Sequence, residues 1–523
     1  MRSIADAAEA EPSARDTSPP WPCPIWAIWL FGILSILLTG ALVGLAGRYL
    51  FFSGYFDHGE AHMAMRAWQL LHGGVVYADS ESPDFLVTLH GPTPYLWLGL
   101  WTSIAGGGLA ASKLGGLAAL LVTLGVFVAH ISRRFGYAWI APGIAILVSL
   151  LLMVGQKSFW LRSDPVALML VSLGLFLTAE LGLTQRPWWQ APLALGAIAG
   201  LAANTKAHEL LYLAPLAFGF AWRRWIVGWP LAGLVAIAAW GAPFALAAFP
   251  LDNYLSVLIR AGGGHEFEPL TLLYSAKRAA IFLGPLALLP FAWRRLSPAE
   301  RFYALAYAGA LGMALYPASV SGSGWYQFMP VAPLTADLAL RLARATAPSG
   351  RTWAASALVV FIVFSAIVSW KPHRQMHLYM TDRAWMKDAA DEIAGIVAAN
   401  PERKIEMGYG QDVTETYRAT FLRPLLVFAG SPATFDGWSN MEEALLGFPP
   451  SSGKIARIKT CAADLWLIPA RESPFTMASV FQIPPDFLAA YRQAFLAAYE
   501  LQERGKFFDI WQCRGHQISR PSS

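Results

Sequence analysis

Charge is what this chain has least of: Asp, Glu, Lys and Arg make up 14% of its 523 residues, while 56% are hydrophobic. A soluble domain carries roughly a quarter charged residues, so an ordinary soluble fold is excluded. The sequence also lacks any Gly-x-x-x-x-Gly-Lys and any His-Glu-x-x-His, which removes the usual signals of ATP-driven transport and zincin proteolysis. It has no basic run with interleaved aromatics, so the net charge of +5 does not point to nucleic acid. Internal repeats and low-complexity tracts are absent, and cysteine stops at Cys23, Cys461 and Cys513.

What the chain has instead is long charge-free runs. A membrane core of roughly 30 Å takes about 20 helical residues to cross. Nothing between Asp16 and Arg48 is charged, and Trp26 to Gly47 reads as a first span. It is too long and apolar for a signal peptide, and no small-residue cleavage site follows. Charge-free runs recur at 114–132, 135–156, 165–179, 187–205, 210–222, 225–251, 279–293, 302–336 and 352–370. With 302–336 broken at Ser319 to Gly324, the expectation is a mostly α, polytopic membrane protein of about eleven transmembrane helices.

The short loops then sort by charge. Arg133 and Arg134, Arg186, Arg223 and Arg224, Arg294, Arg295 and Arg301, and Arg341, Arg344 and Arg351 all fall in alternate loops, which basic residues mark as cytoplasmic. The same alternation sends Asp57, Glu60, Asp164, Glu209, Asp252 and Glu266 to the other face, with everything after Trp370. The expected placement is the inner membrane, with a cytoplasmic N-terminus and a periplasmic C-terminal domain. Residues 1–22 read as a short disordered lead, 23–370 as the transmembrane domain with a large first external loop at 48–113, and 371–523 as a small soluble α/β domain.

Within that last part, Lys404 to Gly410, Ala463 to Ala470 and Phe507 to Cys513 look like strands, and Pro485 to Arg504 like an amphipathic helix closed by Gly505. Cys461 and Cys513 share the oxidising side, which permits a disulfide between them. Two buried free thiols are the alternative.

Five polar constellations stand out against the apolar background. Asp57-His58-Gly59-Glu60-Ala61-His62 follows the first span. Asp57 can cap the next helix and Glu60 can sit in its first turn, or a carboxylate there can take a proton from a hydroxyl nucleophile. Lys157 to Pro165 brings Arg162 and Asp164, either a helix cap or a second acid beside cations able to hold a phosphate. Asn204 to Glu209 is a polar break in which Lys206, with His208 and Glu209, can meet an anionic head group or simply snorkel. Asp252 to Lys277 carries Arg260 and three glycines at 262–264, a mobile gate or a passive connector. Ser321 to Gln327 offers Trp325 and Tyr326, suited to stacking on a sugar or to anchoring at the interface. His58 and His62 are weak candidates for a divalent metal, since the His-x-Glu-x-His spacing matches no closed site. Between the first two constellations, Pro92 to Ile104 is too short to span and reads as an interfacial or re-entrant helix.

In order and sidedness these segments resemble the GT-C integral membrane glycosyltransferases, especially the branch with aminoarabinose transferases and protein mannosyltransferases. The acidic motif is Asp57 to Glu60; a helix ending Leu70-Leu71-His72-Gly73 with Tyr77 after it, then Gly91-Pro92-Thr93-Pro94-Tyr95, follow it. Asp164 stands at the second acidic position, and Lys206-Ala207-His208-Glu209-Leu210-Leu211 at the break before a Leu-rich helix. The family's adjacent acidic pair is spread here over Asp57 and Glu60, so either can correspond to the base.

The resemblance implies transfer of a sugar from a polyprenyl-phosphate-linked donor to a lipid, glycan or protein acceptor, with inversion. In that picture Asp57 or Glu60 is the base and Asp164 orients it or the acceptor. Lys206, with Arg260 or Arg162, stabilises the leaving phosphate, while His208, Glu209, Tyr95, Trp325 and Tyr326 line the substrate site. Nucleotide sugars are cytoplasmic, so a transferase on the outer face needs a donor already flipped across, which points to the same donor class. A permease using Asp57, Asp164 and Lys206 as a path, or a non-catalytic envelope scaffold, are the rival readings. Transporters tend to show paired halves, and none is found here.

Overall fold

The structure, a computed structural model, describes residues 24–183, 187–221, 225–411, 416–432, 434–477 and 485–515. The expected disordered lead, Cys23, Arg186, Arg223 and Arg224 lie outside the described residues.

The chain runs through α1 (Ile25–Phe51), α2 (His58–Leu71), α3 (Pro92–Ala105), α4 (Leu109–Arg134), α5 (Ile140–Val154), α6 (Ser163–Leu183) and α7 (Gln190–Ala203). There follow α8 (Ala214–Ala221), α9 (Trp225–Gly241), α10 (Leu251–Gly264), α11 (Pro269–Phe282), α12 (Leu289–Ala292), α13 (Pro298–Ala314) and α14 (Ala332–Asp382). Among the described residues six helical stretches are long and apolar enough to cross a membrane: Ile25–Phe51, Leu109–Arg134, Tyr137–Ser158, Ser163–Leu181, Val227–Ala245 and Thr352–Asp382. A seventh arises if Pro269–Phe282 and Gly284–Arg295, bent by 50° at their junction, form one broken span.

The expected count of about eleven spans is not reached by this measure, because a charge-free run need not be one helix. Most of 210–222 is divided between a 3-10 segment, Ala207–Leu213, and α8, while 302–336 is α13 followed by 3-10 turns at Pro317–Ser319 and Trp325–Val331. α3 is 14 residues long, as expected for a segment too short to span. The residues 252–277, read from sequence as a gate or connector, are instead α10 and α11, with the glycines 262–264 at the end of α10.

Helix α14 is assigned over 51 residues, through the loop expected at Arg341 to Arg351 and past the domain boundary expected at 371. It is not straight. Leu340 packs on Gly143 near one end of α5 and Pro372 on Gly155 just past the other. About 32 helical residues would span roughly 48 Å and the twelve of α5 only about 18 Å, so α14 bends sharply between the two contacts. The bend restores the reversal that the basic loop implied.

Helices α4 and α6 give the bundle two chemically different ends. At one, His130 pairs with Asp337 at 2.8 Å, Arg341 with Asp337 at 2.6 Å and Arg133 with Glu180 at 2.6 Å. At the other, Lys113 in the first turn of α4 donates to the carbonyls of Tyr49 and Phe52 where α1 ends. The acids picked out from sequence lie at this second end.

The C-terminal part, α15 (Met386–Ala399), α16 (Pro424–Phe428), α17 (Gly437–Leu445), α18 (Ser452–Lys459) and α19 (Pro485–Ala498), packs on a four-stranded sheet. Its strands are β1 (Ile405–Met407), β2 (Leu465–Pro469), β3 (Tyr499–Arg504) and β4 (Phe508–Cys513), in the order β1-β2-β4-β3. β1 and β2 are parallel and the other pairs antiparallel. Three strands coincide with the expected segments. The fourth corrects the sequence reading: the helix from Pro485 stops at Ala498, and Tyr499 to Arg504 form β3. The backbone groups of those residues gain a ladder partner in β4, and Gly505, expected to close a helix, closes a hairpin through its N–H to the Phe508 carbonyl.

Cys461 and Cys513 are joined in a disulfide with Cα atoms 5.9 Å apart, closing a loop with a sequence separation of 52. Loop-closure entropy puts the value of such a link at about 4 kcal/mol at most. Replacing both cysteines by serine should lower the unfolding midpoint of the purified protein, while reduction of the double variant should produce no further shift.

Candidate active site

Four stretches far apart in sequence converge at the second end of the bundle: the α1–α2 turn, the segment leading into α6, the break after α7 and the 3-10 turn at Trp325–Val331. The α1–α2 turn is fixed by Asp57, the N-cap of α2, whose Oδ1 accepts from the Glu60 N–H at 2.9 Å. Its other oxygen pairs with the Arg162 guanidinium at 3.0 Å. Capping and ion pairing are thus done by one carboxylate, and its side chain keeps 27% of its surface open. Burial works against the charge, but Arg162 and His58 outweigh it and hold the Asp57 pKa below its ordinary value.

Glu60 differs from Asp57 in burial and in partners. It is fully buried. Oε2 accepts from the Phe56 N–H at 2.5 Å; Oε1 accepts from the Leu161 N–H at 3.1 Å and from the Tyr49 hydroxyl. The carboxylate therefore clamps α1, α2 and the α5–α6 connection together, with its lone pairs directed at the protein. Burial, reinforced by Asp57, pushes its pKa up to about 7.

The second ion pair is Asp164 with Lys206, at 2.6 Å. Asp164 is buried at the start of α6 and also accepts from the Trp160 indole N–H at 3.1 Å. Burial disfavours the Lys206 ammonium, but Asp164 and then Glu209 overcome this and leave its pKa raised. Gln327 Oε1 lies 3.4 Å from Lys206 Nζ and 3.2 Å from His208 Nε2. Glu209, 4.0 Å from Lys206, is bonded by the Thr205 hydroxyl.

Aromatic rings complete the wall. Lys157 Nζ sits 3.9 Å from the centroid of Tyr326, with Lys206 Nζ 5.7 Å from the same ring. Arg162 lies over Trp160 at 4.7 Å, and Trp160 meets Tyr326 edge-on at 5.9 Å. Among the described residues no carboxylate is within ion-pairing distance of Lys157. Three cations, Lys157, Arg162 and Lys206, thus share one aromatic-lined region with the carboxylates of Asp57 and Asp164 and with Glu209, whose burial pushes its pKa up and favours the neutral acid, which leaves an excess of positive charge suited to an anion.

The other residues picked out from sequence make contacts of their own. Arg260 does not join the cluster: its guanidinium lies over Phe448 at 4.3 Å and donates to the Gly447 carbonyl at 3.2 Å, a contact with the C-terminal domain. Trp325 is covered by Arg278 at 4.9 Å, and Tyr95 is fully buried. His58 stacks on Trp438 at 5.7 Å. His62 uses both ring nitrogens, toward Asp436 at 3.1 Å and Thr88 at 3.2 Å. Among the described residues no group of three or more His, Cys, Asp or Glu is placed to hold a metal ion. The site also contains residues that sequence reasoning passed over: Lys157, Trp160 and Gln327 stood inside segments already singled out, whereas Tyr49 and Lys113 lie in apolar helices with nothing to mark them.

No family model and no curated protein matches the chain. Among solved structures it is similar to ArnT from Cupriavidus metallidurans bound to undecaprenyl phosphate, with a TM-score of 0.53 and 15% identity, covering 92% of this chain and 97% of that one. The apo structure of the same ArnT gives a TM-score of 0.53 and 15% identity over 91% of this chain and 97% of that one. The chain therefore has the fold of ArnT over nearly its whole length, the fold that the resemblance to membrane glycosyltransferases implies.

The state of Glu60 leaves a mark on stability. A carboxyl whose pKa is raised on folding favours the folded state below its unfolded value of about 4.3 and loses that contribution as pH climbs through the folded value. The melting temperature of the wild type relative to Glu60→Gln should therefore fall between roughly pH 4.5 and 7. A constant difference across that range would contradict the buried, proton-retaining Glu60.

Proposed function

We propose that the protein is a membrane glycosyltransferase that moves a hexosyl or pentosyl unit from a polyprenyl-phosphate-linked donor to a hydroxyl of a lipid, glycan or protein acceptor. The observation that carries the reading is the pairing of Asp57 with Arg162 and of Asp164 with Lys206 at one end of a bundle with the ArnT fold. ArnT has been crystallised with undecaprenyl phosphate, and the cation excess around Tyr326 supports a ligand of that kind here.

In this mechanism Asp57 is the base, because it is the acid that retains open surface while Glu60 is fully buried. The acceptor hydroxyl attacks the anomeric carbon, its proton passes to Asp57, and the bond from that carbon to the phosphate oxygen breaks with its electron pair. The sugar is inverted and polyprenyl phosphate leaves. Lys206, Arg162 and Lys157 stabilise the charge that grows on the phosphate, where preorganised cations act most strongly. Asp164 holds Lys206 in place and keeps it charged. Glu60 is a clamp that fixes the turn bearing Asp57.

The end that carries this site faces the periplasm, with Arg133 and Arg341 at the cytoplasmic end of the same helices, following the distribution of basic loops. A donor flipped to that face arrives by lateral diffusion in the membrane and needs no soluble carrier.

The test is transfer of labelled sugar from a panel of polyprenyl-phosphate donors in membranes at matched protein level. Asp57→Asn should lower kcat by about 10²- to 10⁴-fold, the usual contribution of a general base. Glu60→Gln should lose activity in step with stability. Wild type inert with every donor, together with solute uptake that depends on Asp57, would replace the transferase by a permease.

A further inference from the structure

Helix α2 is packed on two faces, and Gly59 to Ala67 are all buried. On one, Glu60 is tied to Tyr49 and Leu161, while Leu70 and Leu71 pack near Gly99 of α3. The other face is a stripe at positions 58, 62, 65 and 68, three or four residues apart and therefore aligned along one side of the helix. Every member of that stripe touches the C-terminal domain: His58 and His62 meet Trp438, Met65 packs with Val427, and Trp68 meets Phe428 at 5.2 Å. The helix that Asp57 caps is thus clamped between two parts of the chain far apart in sequence.

The polar centre of this contact is Asp436, the N-cap residue of α17, itself 2% exposed. One oxygen accepts from His62 at 3.1 Å and the other from Arg423 at 3.1 Å, and Arg423 also donates to the Met407 carbonyl at the end of β1 at 3.2 Å. The same short helix α17 reaches two further parts of the membrane domain. Ser439 accepts from the Val87 N–H at 2.6 Å, and Glu442 pairs with His265 beyond α10 at 3.4 Å. A buried ion pair costs desolvation that ordinary apolar packing would avoid, and removing one partner leaves an uncompensated charge. A buried polar chain of this kind fixes the geometry of the groups it joins.

We infer that the C-terminal domain is part of the catalytic apparatus, with Asp436 as the positioning residue that, through His62, holds the first turn of α2 so that Asp57 stays against Arg162. The consequence for turnover rests on the transferase reading above; the docking rests on geometry alone, so the two fail separately. Asp57 faces Arg162 and His58, with Glu60 behind it, and releasing the turn takes it from the guanidinium that keeps it ionised.

Two measurements on the full-length protein test this. In steady-state transfer, Asp436→Ala should lower kcat by about 10- to 100-fold, the scale on which a small misplacement of a reacting group slows a reaction, with the donor KM within about threefold of wild type. The acid limb of its pH profile should move upward, in the same direction as in Arg162→Gln measured beside it, and Asp436→Asn, which keeps the size and one acceptor, should recover part of the rate. Backbone hydrogen exchange across His58 to Ala64 should accelerate in Asp436→Ala without any substrate present. Activity per folded molecule and a pH profile both unchanged in Asp436→Ala would overturn the positioning role; exchange unchanged at α2 would overturn the docking, even if wild type proved inert with every donor.

Discussion

The organisation of this protein depends on keeping charge at the edge of an apolar bundle, and the contact that does so is the ion pair between Asp57 and Arg162. An isolated carboxylate or guanidinium in such surroundings would be costly to desolvate. Paired, they link the start of α2 to the entry of α6, residues 105 apart in sequence. Glu60 reinforces the link from below by accepting from Leu161 N–H, one residue before Arg162. Through Asp164 and Lys206 the same segment reaches the break after α7, and through Tyr326 it reaches the turn before α14. Four transmembrane-domain stretches are thereby held by two salt bridges and a clamp, and the cations are left facing one region.

That architecture divides labour between acids that look alike in sequence. Asp57 and Glu60 are one helical turn apart, yet one is a partly open cap and the other a fully satisfied buried strut. Asp164 is a third case, buried and neutralised by a lysine, which makes it a support for Lys206. The C-terminal part fits the same logic, since Trp438 and Asp436 pack on the side of α2 opposite Glu60, through His58 and His62.

Much of this was legible because charge is scarce. In a chain with so few ionisable residues, Asp57, Asp164 and Lys206 stood out, and their occurrence in loops of one sidedness placed them together before any coordinates did. The first turn of α2 was readable from the Asp57 cap, and its end from Leu71 followed by His72 and Gly73, which has φ of +77°. What could not be read was the partner of each group. Nothing local tells that Arg260 reaches Phe448 and that His62 turns to Asp436, since both depend on how a distant domain docks. Lys157 gains meaning only from Tyr326, which the fold brings across from another helix. The span count was the least legible feature, because absence of charge marks apolar sequence without marking where proline, glycine and 3-10 turns interrupt it, and β3 was missed because Tyr499 to Arg504 continues a helical pattern until a hairpin partner claims its backbone.

The central claim is that the cations around Tyr326 form a phosphate site for a polyprenyl-linked donor. It is tested most directly by equilibrium binding of undecaprenyl phosphate to the purified protein, wild type against Lys206→Ala and Lys157→Ala. Each removed cation should weaken binding by roughly 10- to 100-fold, the worth of one charge-assisted contact, while Arg260→Ala, whose side chain lies on the C-terminal domain, should bind as wild type does. Equal affinity in wild type and both lysine variants would contradict the account.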